Sequence, residues 1–157
     1  MPLSLTEFNT ADDVRGVLTA CLAVPRWVDA VLAGRPYGSR SALLSAAGIP
    51  LSSGEVRAAM AAHPRIGEKP KGAGTEAHWS RSEQSGVDNA DEFAAANAEY
   101  EAKFGHVYLV CASGRSGEEL LKILRSRLDN DPATELEVAG RELIKIAELR
   151  LAKAVSE

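Results

Sequence analysis

Apolar residues recur every three or four positions along most of the chain, which is the spacing of one face of an α-helix. Short turns rich in glycine, proline and serine separate the stretches with this pattern. Two stretches open with a capping box, Ser52–Glu55 and Ser116–Glu119, in which a hydroxyl and a carboxylate satisfy free backbone amides. The predicted helices begin near Asn9, Trp27, Ser41, Ser52, Trp79, Asp91, Ser116 and Pro132.

One stretch departs from helical spacing. His106–Ala112, with the sequence HVYLVCA, is rich in β-branched and aromatic residues, which favours a strand. It has no obvious partner strand, so a buried extended linker is the alternative. The fold class we predict is therefore all-α, a single compact bundle of about seven to nine helices with short connections and at most one strand. The length, residues 1–157, predicts one domain.

Composition narrows the classes of function. The net charge of −4 disfavours a nucleic-acid surface, since such domains are usually basic. No apolar run approaches the roughly 20 residues that span a bilayer, and the N-terminus lacks a signal-peptide pattern, so we expect a cytoplasmic location and no membrane contact. The two cysteines, Cys21 and Cys111, each lie among apolar residues, which indicates buried thiols rather than a disulfide framework or a zinc site.

An arginine interrupts the apolar stripe of the last predicted helix. The stripe comprises Leu136, Ala139, Leu143 and Ile146, and Arg150 occupies its next position. An unpaired buried charge is very costly. One interpretation is that Arg150 reaches the surface or pairs with an internal carboxylate. The other is that it holds a bound anion, such as a substrate carboxylate, in a bidentate fork.

Two further residues are candidates for chemistry. His63 ends the helix that Ser52 begins, where the free carbonyls favour a protonated imidazole, so it is either a proton carrier or only a capping residue. Glu83, in SRSEQSG, is either a candidate acid or base or part of a third capping box. His78 and His106 show no metal-ligand spacing with His63, so no metal is expected.

Four ordered blocks together resemble a known family. They are HPRIG at 63–67, SRSEQSG at 80–86, KFGHVYLVCASGRS at 103–116 and EVAGRELIKIAELRL at 137–151. With these blocks, nearly the whole chain resembles the 2-oxo-4-hydroxy-4-carboxy-5-ureidoimidazoline (OHCU) decarboxylases of urate breakdown. The resemblance implies an all-α homodimer that uses no cofactor and converts the small molecule OHCU to (S)-allantoin with loss of CO2.

The resemblance also implies a set of site residues. The catalytic residues would be His63, Glu83 and Arg150. Substrate-binding positions would be Pro64, Ser80, Arg81, Ser82, Gln84 and the backbone groups of Tyr108, Leu109, Val110, Cys111 and Ala112. The segment between Glu83 and Phe104 is shorter than in animal and plant members, and no peroxisomal C-terminal tripeptide is present, which is typical of a bacterial, cytoplasmic version.

Two other functions remain open from the sequence. The same acid, base and arginine would serve a cofactor-free isomerase or hydrolase that acts on a related ureide. A non-enzymatic all-α interaction module, in which Arg150 pairs internally, is the second alternative.

Overall fold

Serine side chains begin four of the helices. The hydroxyls of Ser4, Ser39, Ser52 and Ser116 each accept a hydrogen bond from a backbone amide in the first turn, at 3.0–3.2 Å. Three of these four, all except Ser39, are complete capping boxes with a glutamate three residues on. The two boxes predicted at Ser52 and Ser116 are thereby confirmed, and the pattern explains why helices start at these points.

The computed structural model describes residues 2–61 and 90–157. In these residues it has eight helices and two short strands. In chain order they are β1 (Leu3–Ser4), α1 (Leu5–Thr10), α2 (Arg15–Cys21), α3 (Pro25–Ala33), α4 (Arg40–Ala46), α5 (Ser53–Met60), α6 (Ala90–Phe104), α7 (Gly117–Arg127), α8 (Pro132–Ala154) and β2 (Val155–Ser156). The all-α prediction is confirmed. Among the described helices, none combines the length and apolar character that crossing a bilayer requires.

The chain divides into two units. The first, here called the terminal unit, comprises the described residues up to Leu51 and those from Ile144 onward. Its strands β1 and β2 pair in parallel, with Leu3 opposite Val155. The indole of Trp27 is fully buried in this unit, and its Nε1 donates to the carbonyl of Ala47 at 2.9 Å, so the largest core side chain also has its polar atom satisfied.

The second, here called the central unit, comprises the described residues from Ser52 to Leu143. Its core is a cluster of buried apolar side chains from α6, α7 and the segment between them. The members are Phe93, Ala96, Tyr100, Tyr108, Val110, Ala112, Leu120, Leu121 and Leu124. The rings of Tyr100 and Tyr108 meet edge to face, with centroids 5.4 Å apart, which is a favoured arrangement for aromatic pairs.

Two predictions about the N-terminal and C-terminal parts of the chain are wrong. The helix predicted to begin near Asn9 does not begin there, because the Ser4–Glu7 capping box starts α1 earlier and Thr10 is its last residue. The Thr10 hydroxyl donates to the carbonyl of Thr6 at 2.9 Å. The described residues also contain two strands rather than at most one, because a pairing of two residues leaves no periodic pattern in a sequence. The helix predicted near Trp79 lies outside the described residues.

Candidate functional site

Arg150 lies on α8 and is buried, with only 1% of its surface exposed. All four residues of the preceding stripe are buried too, which confirms that the stripe faces inward. The interpretation that Arg150 reaches the surface is therefore wrong. Its Nη1 donates to the carbonyl of Ala20 at 3.4 Å. Ala20 lies in the last turn of α2, where carbonyls have no partner within the helix, so this contact serves both groups.

The segment from Val107 to Ala112 connects α6 to the turn before α7 and forms neither helix nor strand. Tyr108, Val110 and Ala112 place their side chains in the central core cluster. Leu109 and Cys111 are also buried but lie outside that cluster among the described residues. Alternation of this kind is typical of an extended chain. The prediction of a buried extended linker is therefore the better of the two alternatives, and a strand is not formed.

The segment ends in a tight turn. The amide of Arg115 donates to the carbonyl of Ala112 at 3.1 Å, and Gly114 has φ +76°, which glycine adopts without strain. The cap residue Ser116 follows directly and starts α7. This short connection fixes the distance between the segment and α7.

A buried ion pair that the sequence analysis missed holds the segment. Arg127, at the end of α7, is 6% exposed, and Glu135, in the first turns of α8, is fully buried. The Nε atom of Arg127 donates to Glu135 Oε2 at 2.8 Å, and its Nη2 contacts the same carboxylate. Nη1 donates to the carbonyl of Leu109 at 2.7 Å. The planar guanidinium thus joins α7, α8 and the segment.

Other polar groups complete this network. The hydroxyl of Tyr100 donates to Glu135, and the amide of Asn130 donates to Glu135 Oε1 at 3.1 Å. The guanidinium carbon of Arg127 lies 4.9 Å from the centre of the Tyr108 ring, within cation–π range. A buried pair is stabilising only when its remaining donors and acceptors are satisfied, and here each partner has further contacts.

A second carboxylate binds the same segment from α8. Glu142 is 6% exposed, and its Oε1 accepts a hydrogen bond from the backbone amide of Cys111 at 3.1 Å. Arg127 and Glu142 therefore bind the segment at two residues that are two positions apart.

The buried tyrosines have strongly shifted acidities. Burial raises the pKa of Tyr100 far above its usual value, and its hydrogen bond to Glu135 raises it further. Burial likewise raises the pKa of Tyr108, against the opposing effect of the nearby Arg127 charge. Burial alone would lower the pKa of Arg127, but the bonds to Glu135 outweigh it and raise the pKa. The network therefore has one ionic pair and neutral phenols at ordinary pH.

The sequence contained a signal for this network. Arg127 follows Leu120 and Leu124 at helical spacing, so it continues an apolar stripe just as Arg150 does. The turn Asn130–Asp131–Pro132 brings Arg127 and Glu135 together. A search for charged residues at stripe positions on every helix would have found both arginines.

Seven of the predicted site residues lie outside the described part of the chain: His63, Pro64, Ser80, Arg81, Ser82, Glu83 and Gln84. Both cysteines are buried thiols, as predicted. Within residues 2–61 and 90–157, no group of three or more histidine, cysteine, aspartate or glutamate side chains is arranged to hold a metal ion.

A surface cleft of about 500 Å³ beside α4 does not coincide with the predicted site. Its lining residues are Arg40, Ser41, Leu44, Ser45, Glu148 and Glu157. None of them is a predicted site residue. The cleft is therefore set apart from the predicted chemistry.

Comparison with known proteins gives a consistent result. The family model described as OHCU decarboxylase matches residues 9–152. A 2-oxo-4-hydroxy-4-carboxy-5-ureidoimidazoline decarboxylase of Amia calva is 33% identical over 134 residues, which cover 78% of this chain and 75% of that protein. The uric acid degradation bifunctional protein TTL of Arabidopsis thaliana is 41% identical over 107 residues, or 63% of this chain. The match spans only 33% of the Arabidopsis protein's length.

Solved structures agree with the sequence matches. A crystal structure of OHCU decarboxylase in the presence of (S)-allantoin superposes with a TM-score of 0.69 at 28% identity, covering 86% of this chain and 94% of that one. A crystal structure of (S)-allantoin synthase superposes with a TM-score of 0.71 at 16% identity, over 99% of this chain and 54% of that one, which shows a shared fold.

Proposed function

The chain belongs to the OHCU decarboxylase family, and from this premise we propose that it converts OHCU to (S)-allantoin and CO2 in urate breakdown, without a cofactor. The observation that carries the proposal is the family match over residues 9–152, a range that contains every predicted site residue. The buried Arg150, at the position that the resemblance assigns to catalysis, supports it.

The proposed reaction needs an electron sink, and the substrate's own ring supplies one. The carboxylate is attached to a carbon that bears a hydroxyl and neighbours a C=N bond. When the C–C bond to the carboxylate breaks, CO2 leaves and the electron pair moves into the imine. The former imine nitrogen then takes up one proton, and the hydroxyl loses its proton to become the ring carbonyl as the adjacent ring carbon takes up a proton on one face, which gives (S)-allantoin. The protein must therefore orient the carboxylate, stabilise developing charge and deliver a proton from one side.

Arg150 suits the first of these tasks. A guanidinium binds a carboxylate through two parallel N–H donors, which fix its position and plane. Arg150 is buried on α8, and its Nη1 donates to the Ala20 carbonyl, which helps to hold the guanidinium in place. Because binding the carboxylate tightly in the ground state does not itself accelerate its loss, Arg150 acts by orienting the breaking bond against the ring.

His63 and Glu83 take the proton-transfer roles. An imidazole can carry and deliver a proton near neutral pH, and His63 is our choice of acid. Glu83 orients His63 or accepts the proton of the substrate hydroxyl. General acid–base catalysis of this kind contributes roughly 10²–10⁴-fold.

The remaining site residues bind the substrate. Ser80 and Gln84 hydrogen-bond the ureido and ring amides and select the protonated face, and Pro64, Arg81 and Ser82 are further substrate-binding positions. The backbone groups of Tyr108–Ala112 supply further donors and acceptors for a flat, amide-rich molecule. The homodimer, the single domain and the cytoplasmic location remain predictions.

Circular dichroism of freshly made OHCU, generated from urate by the upstream enzymes, tests this proposal. We expect wild-type protein to give rapid growth of the (S)-allantoin signal and His63→Ala to leave the slow, non-stereospecific background. If the rate with wild-type protein does not exceed the background rate, the decarboxylase proposal is wrong. The isomerase, hydrolase and interaction-module functions are then favoured. If both proteins are equally fast, the activity stands and the choice of His63 as acid is wrong.

A further inference from the structure

The segment Val107–Ala112 has two edges that differ in their hydrogen bonding. In an extended chain, the N–H and C=O of alternate residues point to opposite sides. Leu109 and Cys111 share one side, where the Leu109 carbonyl accepts from Arg127 at 2.7 Å and the Cys111 amide donates to Glu142 at 3.1 Å. We call this side the supported edge.

The opposite side carries the N–H and C=O of Val110, and we call it the Val110 edge. Val110 is 3% exposed. Within residues 2–61 and 90–157, neither polar group of its backbone has a hydrogen-bond partner. Buried backbone groups are almost always paired, so an orphan pair in a buried segment calls for an explanation. The side-chain oxygen of Ser113, which follows the segment, is also buried without a partner in the described part of the chain.

The groups on the supported edge are held by further hydrogen bonds. The position of the Arg127 guanidinium is fixed by Glu135, which in turn is held by Tyr100 and Asn130. The phenol of Tyr108 donates to the carbonyl of Leu120 at 2.9 Å, which ties the same segment to α7. Binding groups must be held within a fraction of an ångström to be effective, and that precision comes from the residues behind them.

We propose that Arg127 is a positioning residue for the reaction: by holding the Leu109 carbonyl, with Glu142 on the Cys111 amide, it fixes the segment so that the Val110 edge presents its N–H and C=O to amide groups of the substrate. This inference rests on the proposed function for its substrate. Its structural part, the dependence of the segment on Arg127, does not.

Hydrogen exchange tests the structural part. Labelling with ¹⁵N-cysteine gives one amide signal from Cys111 and one from Cys21, the only other cysteine, which lies in the terminal unit. In the variant Arg127→Lys, the lysine keeps a positive charge opposite Glu135. It lacks the planar guanidinium whose additional N–H group donates to the Leu109 carbonyl. We expect the Cys111 amide to exchange about tenfold faster or more, with Cys21 unchanged. The double variant Arg127→Met/Glu135→Leu, which removes the charges together, is expected to behave in the same way.

Steady-state kinetics on OHCU test the link to substrate. Groups that bind substrate and transition state alike change KM and leave kcat. We expect Arg127→Lys to raise KM about tenfold to hundredfold, with kcat within threefold of wild type. Arg125→Met is the matched control, because Arg125 lies on the same helix and is exposed, and it should match wild type in both assays.

Hydrogen exchange and kinetics together distinguish the possible outcomes. Unchanged exchange at Cys111 in both variants overturns the inference whatever the activity, and equal acceleration at Cys21 and Cys111 reduces Arg127 to a general stabilising role. A lower kcat with unchanged KM reports a loss of active protein or of an interaction made only in the transition state, and also overturns it. If wild type does not turn over OHCU, the proposed function fails, and exchange at Cys111 still decides whether Arg127 positions the segment.

Discussion

Arg127 and Arg150 are both buried arginines at stripe positions of helices, yet their surroundings differ. Arg127 is paired with Glu135 inside the central unit and binds the Leu109 carbonyl. Arg150 lies in the terminal unit, contacts the Ala20 carbonyl, and occupies a position that the family resemblance assigns to the catalytic set. A buried arginine is therefore not by itself a sign of catalysis. What it binds decides whether it positions the backbone or the substrate.

The largest effect should come from removing one partner of the Arg127 pair. Glu135→Leu leaves the Arg127 charge buried without its carboxylate, which costs about 3–5 kcal/mol of unfolding free energy. Urea unfolding followed by circular dichroism measures it. Glu137→Leu, an exposed position on the same helix, is the control and should stay within about 0.5 kcal/mol. A loss below about 1 kcal/mol in Glu135→Leu would mean that the pair is not a structural element.

Arg150→Met should affect mainly the catalytic activity, whereas Glu135→Leu affects mainly the unfolding free energy. Removing a buried, hydrogen-bonded partner of a charged group costs about 2–5 kcal/mol. Here the charged group is the substrate carboxylate and the cost falls on binding of the transition state, so kcat/KM should fall at least about 30-fold. The measurement is the initial rate of (S)-allantoin formation, with exposed Arg141→Met as the control. Arg150→Lys, which keeps the charge, should recover part of the loss. Retention of wild-type kcat/KM in a folded Arg150→Met protein would remove Arg150 from the catalytic set.

Tyr100 makes the central unit sensitive to high pH. Burial raises the folded-state pKa of Tyr100, so the unfolded chain releases this proton first, near the ordinary value of about 10. The stabilisation is complete below that pH and is lost as pH rises from there toward the folded-state pKa. The free energy of unfolding should therefore decline above pH 10, less steeply in Tyr100→Phe. Equal slopes for the two proteins would show that Tyr100 is not the group responsible.

The smallest effect concerns the start of α7, the helix that carries Arg127. Ser116→Ala removes the hydroxyl that accepts from the Glu119 amide at 3.2 Å, and loss of such a cap costs about 1 kcal/mol. Thermal unfolding measures it. Ser126→Ala, at an exposed serine near the other end of α7, should cost less. If the two variants lose equal stability, the cap at Ser116 has no special role.

The sequence predicted most of the helices because their caps and stripes are local features. Ser52 and Ser116 were recognisable, and so was Arg150, since each stands out against neighbours a few positions away. The Arg127–Glu135 pair was missed although it lies on a stripe, because its meaning depends on the carbonyl of Leu109, 18 residues earlier in the chain. The short β1–β2 pairing joins residues near opposite ends of the sequence, and nothing local predicts it. The roles of His63 and Glu83 come from the resemblance and stay predictions.

The most direct test of the account follows the carboxylate carbon itself. OHCU labelled with ¹³C at its carboxylate is mixed with wild-type protein, and ¹³C NMR follows the label while circular dichroism follows (S)-allantoin. The account predicts that the label appears as CO2 and bicarbonate at the rate at which (S)-allantoin forms, well above the uncatalysed rate. Label that stays in a ureide, or leaves only at the uncatalysed rate, would contradict decarboxylation by this protein.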